Sequence, residues 1–127
     1  MKLYIIRGLP GSGKTTKALE IIKEYPDTKH YEADMYFVSA HGEYIFNSSL
    51  LKKAHQWCQT KTEDALKNNH NCIVSNTFTQ KWEMQTYLDL AKKYNAEVEI
   101  LVMKGEYPNI HGVPFNTIEK MKKRWED

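Results

Sequence analysis

Leu3-Tyr4-Ile5-Ile6-Arg7-Gly8-Leu9-Pro10-Gly11-Ser12-Gly13-Lys14-Thr15-Thr16 is the stretch whose reading decides the fold. Residues 8–15 match G-x-x-x-x-G-K-[ST], the phosphate-binding P-loop, at every fixed position. The flanks fit the same reading. Leu3 to Ile6 is a short β-prone apolar run, and Thr16 to Tyr25 carries apolar residues at helical spacing, so the glycines fall on a strand-to-helix turn. Such a turn points successive backbone N–H groups at an anion, and the helix that follows adds its own free N–H groups and positive dipole end. Gly8, Pro10, Gly11, Ser12, Gly13, Lys14, Thr15 and Thr16 are the candidate ATP-binding residues. Lys14 is expected to reach the β- and γ-phosphates, and the Thr15 hydroxyl to hold Mg2+.

Length and composition agree with one α/β domain spanning residues 1–127. A chain of this size buries roughly two-thirds of its unfolded surface, and 41% hydrophobic with 27% charged residues is the composition of a globular core with a solvated surface. The formal net charge of +2 is too small to argue a nucleic-acid partner by itself. Arginine is scarcer than lysine: only Arg7 and Arg124 are available for bidentate phosphate contacts. Cys58 and Cys72 lack metal-ligand spacing, and the sequence opens without a signal-like stretch. Both cysteines are therefore expected to be reduced packing residues of an intracellular, cytoplasmic protein. No apolar run approaches the length of a membrane span.

Beyond the first helix, with Ala18, Leu19, Ile21, Ile22 and Tyr25 as its apolar stripe, Pro26-Asp27 stops the chain and Lys29–Glu32 reads as a second strand. Val38 to Asn47 reads as an irregular loop. Ser48 or Ser49 is expected to cap a long helix to about Asn69, with Leu50, Leu51, Ala54, Trp57, Cys58, Ala65 and Leu66 inward. Cys72–Ser75 is a third strand, Thr79 a cap for a helix from Gln80 to Tyr94 that Asn95 closes, and Val98 to Met103 a fourth strand. Gly105 to Pro114 is a loop, and Asn116 with Glu119 reads as a capping box for a last helix. Strands alternating with helices imply a mainly parallel sheet with helices on both faces, a three-layer P-loop sandwich.

Chemistry concentrates at the carboxyl ends of those strands, where open α/β sheets place ligands. Asp34 follows the second strand. It is a candidate general base for phosphoryl transfer to a hydroxyl, or alternatively the cap of a helical turn. Asn76-Thr77 ends the third strand where many P-loop proteins carry an acid for the magnesium shell; Asn76 can serve the metal or phosphate, or begin a turn. After the fourth strand a lid is expected, with Lys104 and His111 as its candidate cations, His111 being alternatively a turn residue. His55, Trp57, Cys58, Trp82, Tyr87 and Tyr94 read as packing residues. Lys120, Lys122, Lys123 and Arg124 form a small basic patch, read as a solvated face.

Five segments together resemble the P-loop kinase-like domains related to bacteriophage polynucleotide kinase: the Gly8–Thr15 loop, Glu32-Ala33-Asp34-Met35-Tyr36-Phe37, Ala54-His55-Gln56-Trp57-Cys58, Ile73-Val74-Ser75-Asn76-Thr77 and Asn109-Ile110-His111-Gly112-Val113-Pro114. Asp34-x-Tyr36 and Asn76-Thr77 point to this branch. The resemblance implies a parallel α/β sandwich that phosphorylates 5′-hydroxyl ends of DNA or RNA with ATP and magnesium, Asp34 matching the general base and Lys14 and Thr15 the phosphate and metal ligands. Phe37 stands where the phage enzyme has a substrate-binding arginine, the lid carries no arginine, and Asn76 replaces an aspartate, as in other members. A small-molecule or nucleoside hydroxyl is the rival acceptor, and a non-catalytic ATP-binding switch the rival class.

Overall fold

The computed structural model describes residues 1–107 and 112–127. Its centre is a four-stranded parallel sheet in the order β2-β3-β1-β4, formed by β1 (Lys2–Gly8), β2 (Lys29–Tyr31), β3 (Cys72–Asn76) and β4 (Glu97–Met103). All three strand pairings are parallel, with Ile5 aligned between Val74 and Ile100. The helices are α1 (Lys14–Glu24), α2 (Leu51–Lys67), α3 (Gln85–Lys93) and α4 (Phe115–Arg124).

Alternation along β1 builds two cores, because successive side chains leave opposite faces of a strand. Leu3 and Ile5 join Cys72 and Val74 under α2 and α3, where Cys58, Leu66 and Tyr87 are buried. Tyr4 and Ile6 join Ile73 on the other face, against Ala18 and Ile21 of α1. Burying each large aliphatic side chain contributes roughly 1.5–3 kcal/mol, and β1 and β3, covered on both faces, gather most of that burial in the sheet. Cys58 and Cys72 are free and buried, as expected.

Several local expectations are corrected. Asn47, not Ser48 or Ser49, caps the turn that leads into α2, its Oδ1 accepting from the Ser49 N–H at 3.0 Å. Gln80, not Thr79, caps the turn before α3 in a reciprocal box with Glu83, while Thr79 donates its hydroxyl to Glu83. The last helix begins at Phe115 after Pro114, so Asn116 lies inside it. Pro114 is the N-cap residue and has no side-chain acceptor; its carbonyl accepts from the Thr117 and Ile118 N–H groups at 3.0 and 3.2 Å. Leu19, Tyr25 and Leu51 lie on exposed flanks of their helices, and Trp82 is 71% exposed on its turn rather than packed. On β4, Val98, Ile100 and Val102 remain partly exposed because the strand is a sheet edge, while Leu101 and Met103 pack against the α1-side core.

Asn69 and Asn95 turn the chain with φ of +62° and +56°, a left-handed conformation that asparagine tolerates at helix ends. No described helix is long and apolar enough to cross a membrane.

Candidate functional site

The P-loop closes on its own neighbours before any ligand is considered. Gly11 and Gly13 adopt φ of +79° and +98°, which lets the backbone reverse between β1 and α1. Gly13 occupies the N-cap position of α1 and offers no side-chain cap, so the first N–H groups of that helix are left to whatever occupies the loop. Gly8 is needed for a different reason: a Cβ there would sit 2.8 Å from Met103 O and closer still to Ser12 Oγ. The loop is anchored from two sides. Gly8 N donates to Thr77 O at 3.2 Å, while Gly105 N and Tyr107 N donate to Ser12 O and Gly11 O at 3.1 and 2.7 Å.

Lys14 curls back into the loop, its Nζ donating to Gly8 O and Leu9 O at 2.9 and 3.0 Å. Burial pushes its ammonium below the usual lysine range, while the charges of Glu32 and Asp34 pull it back up. The three side chains therefore share one electrostatic environment. Thr15 donates its hydroxyl to Glu32 Oε1 at 3.3 Å.

Asp34 lies on a 3₁₀ turn, Ala33–Phe37, directly after β2. The turn is held by Asn76, whose Oδ1 accepts from Ala33 N at 2.9 Å. Tyr44 donates its hydroxyl to Asp34 Oδ1 at 3.2 Å; burial first, then the Asp34 charge and this bond, push the phenol up to about 12, so it is a standing donor. Tyr44 is brought there by a backbone bridge between Val38 and Tyr44 inside the stretch expected to be irregular.

Glu32 was visible in the sequence only as the end of a strand. His30 and Glu32 leave the same side of that strand, and His30 Nε2 lies 3.3 Å from Glu32 Oε1 and 3.1 Å from Ser75 Oγ. Burial raises the Glu32 carboxyl, but the bonds from His30 and Thr15 and the Lys14 charge outweigh it and hold it below the usual range.

The remaining candidates sit further out. Pro10 is half-buried, Thr16 is exposed on the first turn of α1, and Thr77 contributes its carbonyl to Gly8. Tyr36 packs edge-on against Phe37 and tilted against Trp57, with centroids 5.6 and 6.2 Å apart. Lys104 is exposed at the exit of β4, and His111 lies outside the described residues. A groove of about 490 Å³ runs between Leu9–Ser12, Lys104–Tyr107 and the Phe115, Ile118 and Trp125 side of α4.

A family model described as an AAA domain matches residues 3–106. The chain belongs to this P-loop family. Human NEDD4-binding protein 2 is 31% identical to this AAA domain over 134 residues, covering 98% of the chain but only 8% of the human protein's length. In the Pnkp1/Rnl/Hen1 RNA repair complex, one chain superposes with a TM-score of 0.74 at 21% identity, over 97% of this chain and 43% of that one. Kti12 of Chaetomium thermophilum, in complex with ADP-AlF3, superposes with a TM-score of 0.67 at 16% identity, over 98% of this chain and 80% of that one. The fold is that of the P-loop kinases.

Proposed function

We propose that this AAA domain is an ATP-dependent phosphotransferase that moves the γ-phosphate of ATP to a hydroxyl, the 5′-hydroxyl end of a DNA or RNA strand. One observation carries the reading: Thr15, next to Lys14 on the P-loop, donates to Glu32 at 3.3 Å, and Glu32 leads directly into the turn that bears Asp34, so a second carboxylate stands on the segment beside the phosphate loop. Phosphate binding alone does not call for that second carboxylate. A hydroxyl acceptor does, since a positioned base contributes about 10²–10⁴-fold to proton transfer.

In the step, the acceptor oxygen forms a bond to the γ-phosphorus as the bond from that phosphorus to the bridging oxygen of ADP breaks. The acceptor proton passes to Asp34, which Tyr44 holds in place. The open N–H groups of the loop and of α1 receive the phosphates, and Lys14 leaves its two carbonyl partners to meet them. Magnesium, when bound, offsets charge on the β- and γ-phosphates. The donor set suits it: the Thr15 hydroxyl and nearby carboxylate are hard oxygen ligands.

The polynucleotide acceptor is supported by the resemblance to polynucleotide kinase and by the likeness to an RNA repair chain. A small hydroxyl compound is the second reading, favoured by the arginines. Arg7 is 3% exposed and bonded to backbone carbonyls, so it has no part in binding a strand.

The test is transfer of labelled γ-phosphate from ATP to a 5′-hydroxyl oligonucleotide with magnesium present. Label is expected on the strand, lost in Lys14→Ala and in Asp34→Asn, with Asp34→Asn keeping its ADP affinity. ATP binding without labelled DNA or RNA, together with label on a nucleoside, would move the assignment to the small acceptor.

A further inference from the structure

The end of β3 presents an amide where the metal shell of a P-loop protein commonly has an acid, and the structure shows that this amide is already engaged. Asn76 Oδ1 is taken by the Ala33 N–H at 2.9 Å, and Nδ2 faces Cys58 Sγ at 3.9 Å. Asn76 works as a clip between β3 and the turn that carries Asp34. Turning its oxygen toward a cation would orphan the Ala33 N–H, which costs about 1–3 kcal/mol for a buried donor.

The carboxylate that lies against Thr15 comes instead from the end of β2. Glu32 Oε1 is 3.3 Å from Thr15 Oγ1. Two neighbouring ligands of an octahedral ion with metal–oxygen distances near 2.1 Å are themselves about 3 Å apart. By accepting the Thr15 proton, Glu32 also fixes the hydroxyl rotor and leaves the oxygen lone pairs free. Behind it stand His30, at 3.3 Å, and Ser75, 3.1 Å from His30, an outer layer of the kind that orients metal-binding carboxylates. Among the described residues no cluster of three or more His, Cys, Asp or Glu could hold a metal alone. That agrees with magnesium, which kinase-type sites hold through one or two carboxylates and the substrate's phosphates.

We propose that Glu32, reaching across from β2, supplies the protein carboxylate of the magnesium shell, and that Asn76 does not. The assignment rests on the phosphotransferase reading for the presence of nucleotide and magnesium, and deepens it by naming the acid. Asp34 is thereby left for the acceptor.

The test reads binding rather than turnover. ADP affinity is measured by calorimetry with magnesium and with EDTA, and the ratio gives the metal coupling. In Glu32→Gln, which keeps a side chain of the same shape, the coupling is expected to fall at least about tenfold, the low end of the 10–100-fold loss that even outer-layer partners of a metal ligand cause, while the EDTA affinity stays within about twofold. Glu32→Asp, which keeps the charge on a shorter stem, is expected to retain part of the coupling. Full coupling in Glu32→Gln would overturn the assignment while leaving nucleotide binding in place. Absence of ADP binding by the unaltered protein would overturn the phosphotransferase reading, and this assignment with it.

Discussion

Tyr44 donates its phenolic proton to Asp34 across 3.2 Å, joining two residues that belong to separate turns of the same loop region. The ring is held from behind by Phe37, at a centroid distance of 6.4 Å, so the hydroxyl is presented rather than free to rotate away. Tyr44→Phe keeps the ring and removes only the donor. A bond to a partly exposed carboxylate is worth about 1 kcal/mol, so kcat/KM for phosphoryl transfer is expected to fall roughly fivefold with ADP affinity unchanged. A melting temperature within about 2 °C of the parent, as expected for a surface change, separates this from unfolding. An unchanged rate would show that Asp34 does not depend on Tyr44 for its orientation.

Gly8 is governed by crowding. An added methyl would meet Ser12 Oγ and, at 2.8 Å, the carbonyl of Met103, and neither the loop nor β4 can yield without breaking its register with β1. Gly8→Ala is expected to cost about 1–3 kcal/mol in chemical denaturation and to abolish ADP binding by calorimetry. Gly42→Ala, with nothing within 4 Å of the added methyl, tests a glycine whose φ of +79° is its only constraint. A loss of about 1 kcal/mol is expected there, with ADP binding intact.

Much of the architecture was legible because it rests on short-range signals. The P-loop pattern, the apolar run of β1, the alternation in β4 and the asparagines at helix ends each report a local backbone requirement, and residues 3–8, 97–103, 69 and 95 adopt it. What stayed hidden depends on which side chain wins a contest for a partner. Asn47 competes with Ser48 for a cap, and Gln80 with Thr79; both winners sit on extended backbone one residue ahead of the turn. Asn76 was legible as a site position, but its clip to Ala33 joins residues 43 apart in sequence, beyond any local pattern. Glu32 and His30 were hidden for a related reason: a three-residue strand is too short to show its alternation, although its place at the carboxyl edge was the available clue.

Cys58, on the buried side of α2, and Cys72, at the start of β3, have no measurable exposure. Burial pushes the Cys58 thiol up, against the lowering effect of Tyr87 and Asn76, and pushes Cys72 up to about 12. Since the thiolate is the nucleophile, neither should react with iodoacetamide near pH ~8 while the protein is folded, where a free cysteine with an ordinary pKa of about 8.5 is substantially ionised. Mass spectrometry is expected to show no adduct in buffer and two after denaturation in guanidinium. Raising the pH should not expose them before the fold is lost, because access as well as ionisation is withheld. One adduct in native buffer would show that α2 opens locally.

Arg7 carries the last structural argument. Its guanidinium donates to Phe78 O at 3.1 and 2.8 Å and to Glu126 O, and stacks on Trp125 with Cζ 4.3 Å from the ring centroid. Phe78 needs that support: its φ of +45° is strained for a bulky side chain. One residue therefore ties the exit of β3 to the C-terminal end of α4, and the groove beside the P-loop has Trp125 in its wall. Arg7→Met fills the same space but orphans buried carbonyls, at about 1–3 kcal/mol each, so a loss of about 3 kcal/mol is expected in chemical denaturation. Trp125→Ala removes the stacking, worth about 0.5–2 kcal/mol, and leaves the carbonyl contacts, so its cost should be smaller. If Arg7 also set the strand exit used by Asn76 and Thr77, Arg7→Met would weaken ADP binding while Trp125→Ala would not. Equal stability losses for the two variants would instead place the whole contribution in the ring contact.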